Sequence, residues 1–250
     1  MIHNTAIVSP QAKLGKNVKI GHFSVIHDNV VIGDNTTIEG FCEIGYPTAL
    51  ATNKPLIIGN DSLIRSHSLF YAGSIFKDKL TTGHRVTVRE NTQAGINLQI
   101  GTLSDIQGDC IIGDYVRTHS NVHIGKNSRI GNYIWIFPYV VLTNDPHPPS
   151  ETMLGVTIKD YAIISTMAVI LPGITVHEHT LVGAHSLVNR DVRAGMLVAG
   201  NPAKEICEAA SIKLREHPEL SAYPWPRHFD KGYPDSVKTV WRDLFGNKVI

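Results

Sequence analysis

The chain has 250 residues, 42% of them apolar, and a formal net charge of +1. That balance excludes a nucleic-acid or membrane surface built on gross charge, and it allows one domain with a sizeable core, or one domain with an appendage. Three cysteines, Cys42, Cys110 and Cys207, are too few and too scattered for a disulfide framework.

The opening MIHNTAIVSP lacks the basic start and apolar run of a secretory leader. No stretch approaches the roughly 18 apolar residues of a membrane helix. A cytoplasmic protein that needs neither membrane nor nucleic acid is the expectation.

From Ile2 onward, large apolar residues recur every sixth position: Val8, Leu14, Ile20, Ile26, Ile32, Ile38 and Ile44. A shifted register resumes at Ile58, Ile64, Phe70 and Phe76. A third set runs from Val88 to Leu142 and a fourth from Ile158 to Val188. Of these 28 positions only Thr118 is not apolar. Two residues earlier lies a small or β-branched residue, as at Ala6, Ser24, Cys42, Ser104, Cys110 and Ser186. Glycine often follows the large residue, as at Gly15, Gly33, Gly101 and Gly131. A period of six fits neither a helix nor a simple strand. It fits a short strand, two inward residues and a tight turn, stacked as a solenoid.

Three interruptions stand out: a loop over 46–56, a second over 77–85 (KDKLTTGHR), and a third over 144–155 (NDPHPPSETMLG). The repeat domain therefore spans 1–203, and 204–250 form a C-terminal extension. In the extension, Lys204 to Glu216 reads as a helix stopped before Pro218, and Asp235 to Phe245 as a second helix capped by Asp235 or Ser236. This tail is expected to cover the open end of the solenoid. Lining a substrate pocket is its other reading.

On these hexads the sequence resembles the hexapeptide-repeat acyltransferases, and closest in appearance are those that N-acetylate nucleotide sugars. The resemblance implies an all-β fold: a left-handed parallel β-helix, three hexapeptides per turn, with a short helical tail. About nine turns at about 4.8 Å per rung give a prism about 45 Å long. It also implies a homotrimer with sites at the subunit interfaces.

Two segments carry the functional resemblance. Leu171 to Lys204, ending in GNPAK, looks like the C-terminal signature of coenzyme A-dependent members. By position, Thr166 and Ala184 would face the pantetheine arm, and Arg190 and Lys204 would meet coenzyme A phosphates. The bland reading of Arg190 and Lys204 is solvated surface charge. The second segment is PYVVLTNDPHPPS, Pro138 to Ser150. There His147 matches the general base of sugar O-acetyltransferases, and a neutral imidazole suits that task. Asn144 lies in a TND element resembling the loop of enzymes that acylate amino sugars on nucleotides, where an amide would bond the acceptor or the oxyanion. A loop merely shaped by Pro146, Pro148 and Pro149 is the alternative.

His119 and His123 flank inward Thr118 and Ile124 and should point outward. In the branch that acylates nucleotide sugars for lipid A, a catalytic histidine falls at Lys126 here, and His123 matches a second histidine of that motif. This departure puts that branch's mechanism in doubt and leaves His123 as a positioning or catalytic candidate. A polar run including Arg65, His84, Arg117 and Asn121 would line a cleft, with Arg65, His84 and Asn121 as substrate binders. Cys42 and Cys110 fall in the small inward register, as core residues rather than acyl carriers.

The resulting expectation is transfer of an acetyl or short acyl group from acetyl-CoA, without a metal, to the amino group of a nucleotide-linked sugar, for surface glycan synthesis. The alternative is sugar O-acetylation with His147 as base. Two minor readings are a γ-type carbonic anhydrase, against which His119 and His123 have three residues between them where that family has four, and a non-catalytic scaffold.

Overall fold

A computed structural model describes all residues 1–250. The hexads form short strands that stack into three sheets of 10, 9 and 11 strands, parallel throughout except for the last strand of the third sheet. The first face begins at Ile7–Val8, the second at Lys13–Leu14 and the third at Lys19–Ile20. The chain visits them in that order, so each strand pairs with the one a full turn later, as Val25 with Glu43 and Asp105 with His123. This is the left-handed parallel β-helix.

The second residue of each hexad strand points inward, and the buried apolar side chains form one cluster running the length of the prism. Phe70 and Phe76 pack edge-to-face at 5.3 Å within it. The small inward register has a structural cause. Ser24 Oγ donates to the Glu39 carbonyl and accepts from Cys42 N–H, and Ser104 repeats the arrangement with the His119 carbonyl and Val122 N–H; Ser68 accepts from Val86 N–H in the same way but donates to the Arg65 carbonyl of its own corner, so these hydroxyls pair corner groups that no strand reaches. Cys42 and Cys110 occupy the same positions, and burial pushes both thiols up to about 11.

Corner residues adopt left-handed φ values near 60°, which Asn and Asp tolerate best. Between the second and third faces, acidic and amide side chains form a ladder. Asp34, Asn60 and Asp78 each accept a backbone N–H from the rung before. One position on, Tyr115, Tyr133, Tyr161 and His179 stack face to face at 5.4, 5.0 and 5.0 Å. Aromatic contact offsets a left-handed cost of about 1–2 kcal/mol per residue there.

Three expectations are corrected. Residues 77–85 are not a loop: Thr81–Thr82 is an ordinary strand of the third face, with Thr82 in the inward position. The apparent break arises only because that inward residue is polar. Lys204–Glu208 is not helical. It is a strand antiparallel to Met196–Ala199, closing the third sheet's edge. Helix α1 (Asp235–Phe245) forms as expected, but its cap position is Pro234, without a side-chain cap bond.

Beyond this edge strand the tail folds back along the side of the prism. Trp225, Tyr233, Val237 and Trp241 bury themselves with Tyr115 against Tyr133, Trp135, Tyr161 and Ile163. Trp241 Nε1 donates to the Tyr161 hydroxyl at 3.2 Å. No helix is long and apolar enough to cross a membrane.

Candidate active site

On the first face, residues 105 and 123 are partners in the ladder, so both side chains leave the sheet side by side. His123 Nδ1 lies 3.1 Å from Asp105 Oδ2, and both side chains are partly exposed. Gln107 donates to the same carboxylate oxygen. Burial pushes the Asp105 carboxyl up. The hydrogen bonds from His123 and Gln107, with the charges of His123 and Arg89, outweigh it and hold Asp105 below the usual carboxylate range. His123 Nε2 has no partner in the chain and faces outward, so this imidazole is arranged to take a proton.

One rung earlier, Arg89 grips fully buried Glu90 through Nε at 3.3 Å and Nη2 at 3.1 Å, and lies 5.8 Å over the Tyr71 ring. Lys126, where the lipid A branch has its histidine, pairs with Asp109 at 3.0 Å. Its ammonium is thus engaged in holding the corner.

The 144–155 loop leaves the corner between the first and second faces. Asp145 organises it by accepting from Ser150 Oγ at 2.6 Å, Ser150 N–H at 3.2 Å and His147 N–H at 3.1 Å, and these bonds hold its carboxyl below the usual range. The Asn144 carbonyl accepts from Leu154 N–H at 2.8 Å, and its amide makes no hydrogen bond in the chain. His147 is exposed and its imidazole is unpartnered.

Arg65, His84, Asn121, Thr166 and Ala184 lie elsewhere, along the corner between the third and first faces. Arg65 pairs with Glu39 at 3.6 Å, and His84 Nδ1 contacts Ser66 Oγ at 2.9 Å. Thr166 and Ala184 occupy successive rungs, and the Thr166 carbonyl accepts from His185 N–H at 3.0 Å. Arg190 and Lys204 line a cavity of about 360 Å³ at the C-terminal end, beside Pro202 and Glu205. Within one chain the predicted residues therefore divide between two edges and one end of the prism.

Asp105 is the site residue the sequence reasoning missed as a partner. Its signal was available: with 18 residues per uninterrupted turn, Asp105 and His123 must be neighbours. A cavity of about 870 Å³ lies away from all of these groups, under the 46–56 loop near His27 and Asp28.

The family description "bacterial transferase hexapeptide (six repeats)" matches residues 1–46. An acyl-[acyl-carrier-protein]–UDP-N-acetylglucosamine O-acyltransferase of Saccharophagus degradans is 33% identical over 132 residues, covering 53% of this chain and 48% of that protein. A 2,3,4,5-tetrahydropyridine-2,6-dicarboxylate N-acetyltransferase of Staphylococcus aureus is 35% identical over 96 residues, covering 38% of this chain and 34% of the relative. The chain thus spans less than half the length of the first curated relatives it matches. Among solved structures, an Arabidopsis UDP-N-acetylglucosamine acyltransferase superposes with a TM-score of 0.53 at 16% identity, over all of this chain and 85% of that one, which shows the fold.

Proposed function

We propose that this hexapeptide-repeat solenoid is an acyltransferase acting on a nucleotide-linked sugar, with coenzyme A as acyl carrier and an amino group as acceptor. The observation that carries this reading is the Asp105–His123 pair. One imidazole nitrogen is tied to a carboxylate and the other is free and outward.

In the proposed reaction the sugar amine attacks the thioester carbonyl. The new C–N bond forms as a tetrahedral oxyanion, and the C–S bond then breaks. His123 Nε2 takes the proton lost by the nitrogen and returns it to the departing thiolate. Asp105 holds the ring with Nε2 outward and balances the imidazolium charge. The unpartnered amide of Asn144 is a donor for the oxyanion or the acceptor. Thr166 and Ala184 line the path of the pantetheine arm, and Arg190 and Lys204 meet the coenzyme A phosphates at the C-terminal end.

Because these groups lie on different edges of one prism, the complete site takes two copies of the chain. The dyad and the 144–155 loop of one protomer face the third-to-first corner of the next, in a threefold assembly. His84, Asn121 and Arg65 on that corner bind the acceptor.

A second reading has one specific observation behind it: the Saccharophagus relative is named as an O-acyltransferase using an acyl carrier protein. A base-bearing dyad suits a hydroxyl acceptor as well, since a hydroxyl needs its proton removed. A thiol-release assay decides. The full chain is given acetyl-CoA with nucleotide-linked amino sugars and, separately, their hydroxyl analogues; a parallel arm replaces the donor with acyl-carrier-protein thioester. Turnover with the amine alone is the expected result. Turnover with the hydroxyl alone transfers the assignment to O-acylation, and silence with both donors and all acceptors removes the acyltransferase reading.

A further inference from the structure

Between the second and third faces, six corner glycines share one arrangement. An Asp or Asn from the next rung folds over the glycine, and its Oδ1 accepts the N–H of the residue that follows. At Gly33 and Gly113 the donors are Asp34 N–H and Asp114 N–H, which reach the Asn60 and Asn132 amide oxygens at 2.8 Å. A Cβ on either glycine would come within 2.6 Å of that oxygen. Lys16, Asn60, Ile96 and Asn132 donate in the same way at the other four. Glycine is needed there because the partner's side chain fills the space of a Cβ. The result is a backbone N–H that is always paired.

A seventh pair has this frame on the edge that carries the dyad. Gly125 lies two residues past His123 on the first face, about 7 Å along extended chain. Asn144 stands to it as Asp114 stands to Gly95 and Asn132 to Gly113, since the ladder runs in register from His123–Ile124 to Val141–Leu142. The Asn144 side chain covers the glycine: a Cβ on Gly125 would lie 3.1 Å from Asn144 Cβ and 3.2 Å from Cγ. Gly125 is buried, whereas His123 is partly exposed. Here the bond of the other six is missing. The Asn144 carboxamide is unpartnered, and so is Lys126 N–H, the donor that the frame supplies. A local rule kept at six rungs and dropped beside a poised imidazole marks a functional position.

We propose that Gly125 is a positioning residue: lacking a side chain, it seats the Asn144 carboxamide beside His123 with its N–H groups unspent, so that Asn144 Nδ2 and Lys126 N–H are the two donors met by the acyl carbonyl oxygen. Donors fixed before the reaction stabilise the charge that develops on that oxygen without having to reorient. Any side chain at 125 displaces the amide from this seat. The role of the seat rests on the acyltransferase reading above.

The test is steady-state thiol release by the full chain with acetyl-CoA, with a melting curve for each variant. Asn144→Ala should lower kcat about 10²-fold, the usual loss for one such donor, and Gly125→Ala about tenfold or more. KM for acetyl-CoA should stay within about twofold in both. The double variant should be no slower than Asn144→Ala alone, because the glycine acts through the amide. Gly113→Ala, which unseats a ladder residue, should lower the melting temperature and leave kcat unchanged. A Cβ at Gly125 also comes within 2.7 Å of the Leu142 carbonyl oxygen, so Asn144→Asp decides the matter if Gly125→Ala does not fold. A carboxylate has no N–H to give, but it accepts from Lys126 as Asp114 does from Ile96. That variant should hold its melting temperature while kcat falls about 10²-fold or more. A kcat unchanged in folded Gly125→Ala or in Asn144→Asp, or losses that multiply in the double variant, overturns the seat and leaves the acyltransferase reading standing. No turnover by wild type with any donor overturns both.

Discussion

Two imidazole–carboxylate pairs stand on the first face, and they are built differently. Near the N-terminus, His27 Nε2 lies 2.9 Å from Glu43 Oε1. In the middle of the prism, His123 Nδ1 lies 3.1 Å from Asp105 Oδ2. Nε2 is the ring nitrogen farther from the backbone. Tying it to a carboxylate leaves only Nδ1, close to the main chain, for anything else. Tying Nδ1 instead sends Nε2 outward with the ring's orientation fixed. His27 also sits edge-on to Tyr46 at 6.0 Å, under the 46–56 loop and beside a cavity of about 870 Å³, whereas His123 has none of this cover. Cavity size and chemical poise thus point to different histidines, and which nitrogen is engaged decides between them.

The largest expected effect is at His123. Replacement by Ala should lower kcat by about 10²–10⁴-fold, the usual contribution of a general base, while thermal unfolding moves little because the side chain is partly exposed. Thiol release and a melting curve on the same preparation check this. A kcat within about twofold of wild type would reduce the dyad to a surface contact.

Asp105→Asn comes next. It keeps the shape and removes the charge that orients the ring, so kcat should fall by about 10- to 100-fold, part of the general-base contribution. This variant also has a signature in stability. Asp105 is held below its ordinary range in the fold. Its ionised form therefore stabilises the native state above the unfolded carboxylate value near about 4. That contribution is lost as pH falls through the lower folded value. Denaturant titrations should show wild type more stable than Asp105→Asn at pH 7, with the gap closing in acid. A gap that is independent of pH would mean that the His123 bond does not depend on the carboxylate charge.

Much of this architecture is legible in the residues once the turn length is known. Eighteen residues per turn make i and i+18 neighbours, which places Asp105 by His123, Arg117 by Trp135 and Tyr115 by Tyr133. The loop at 144–155 stretches the next step, so Tyr133 meets Tyr161 instead. Thr82 shows where the hexad rule misleads: a polar inward residue mimics a loop, yet its hydroxyl takes over a ladder bond and the rung is kept. The tail resists such reading. Lys204–Glu208 has helix-forming residues but borders an open sheet edge, and edge pairing overrides propensity there. Nothing in the local pattern of Trp225, Tyr233 and Trp241 says that they lie on the tyrosine ladder rather than across the solenoid's end. That contact depends on packing between segments far apart in the chain.

The smallest expected effect completes the contrast. His27→Ala removes a partly exposed imidazole–carboxylate contact, with the two side chains 27% and 40% exposed, and such surface contacts contribute about 0–1 kcal/mol. Turnover should stay within about twofold of wild type, and the melting temperature should hardly move. The informative outcome is the opposite one. If His27→Ala abolishes acyl transfer while His123→Ala does not, the reactive centre belongs under the 46–56 loop, in the cavity bordered by Asp28, Asn53 and Lys54. Imidazole orientation would then be the wrong guide on this face, because Nδ1 of His27, close to the backbone, would have to reach the acceptor. Pairing His27→Ala with Glu43→Gln distinguishes the cases: a structural pair loses the same small stability from either change, whereas a working base responds to both in kcat.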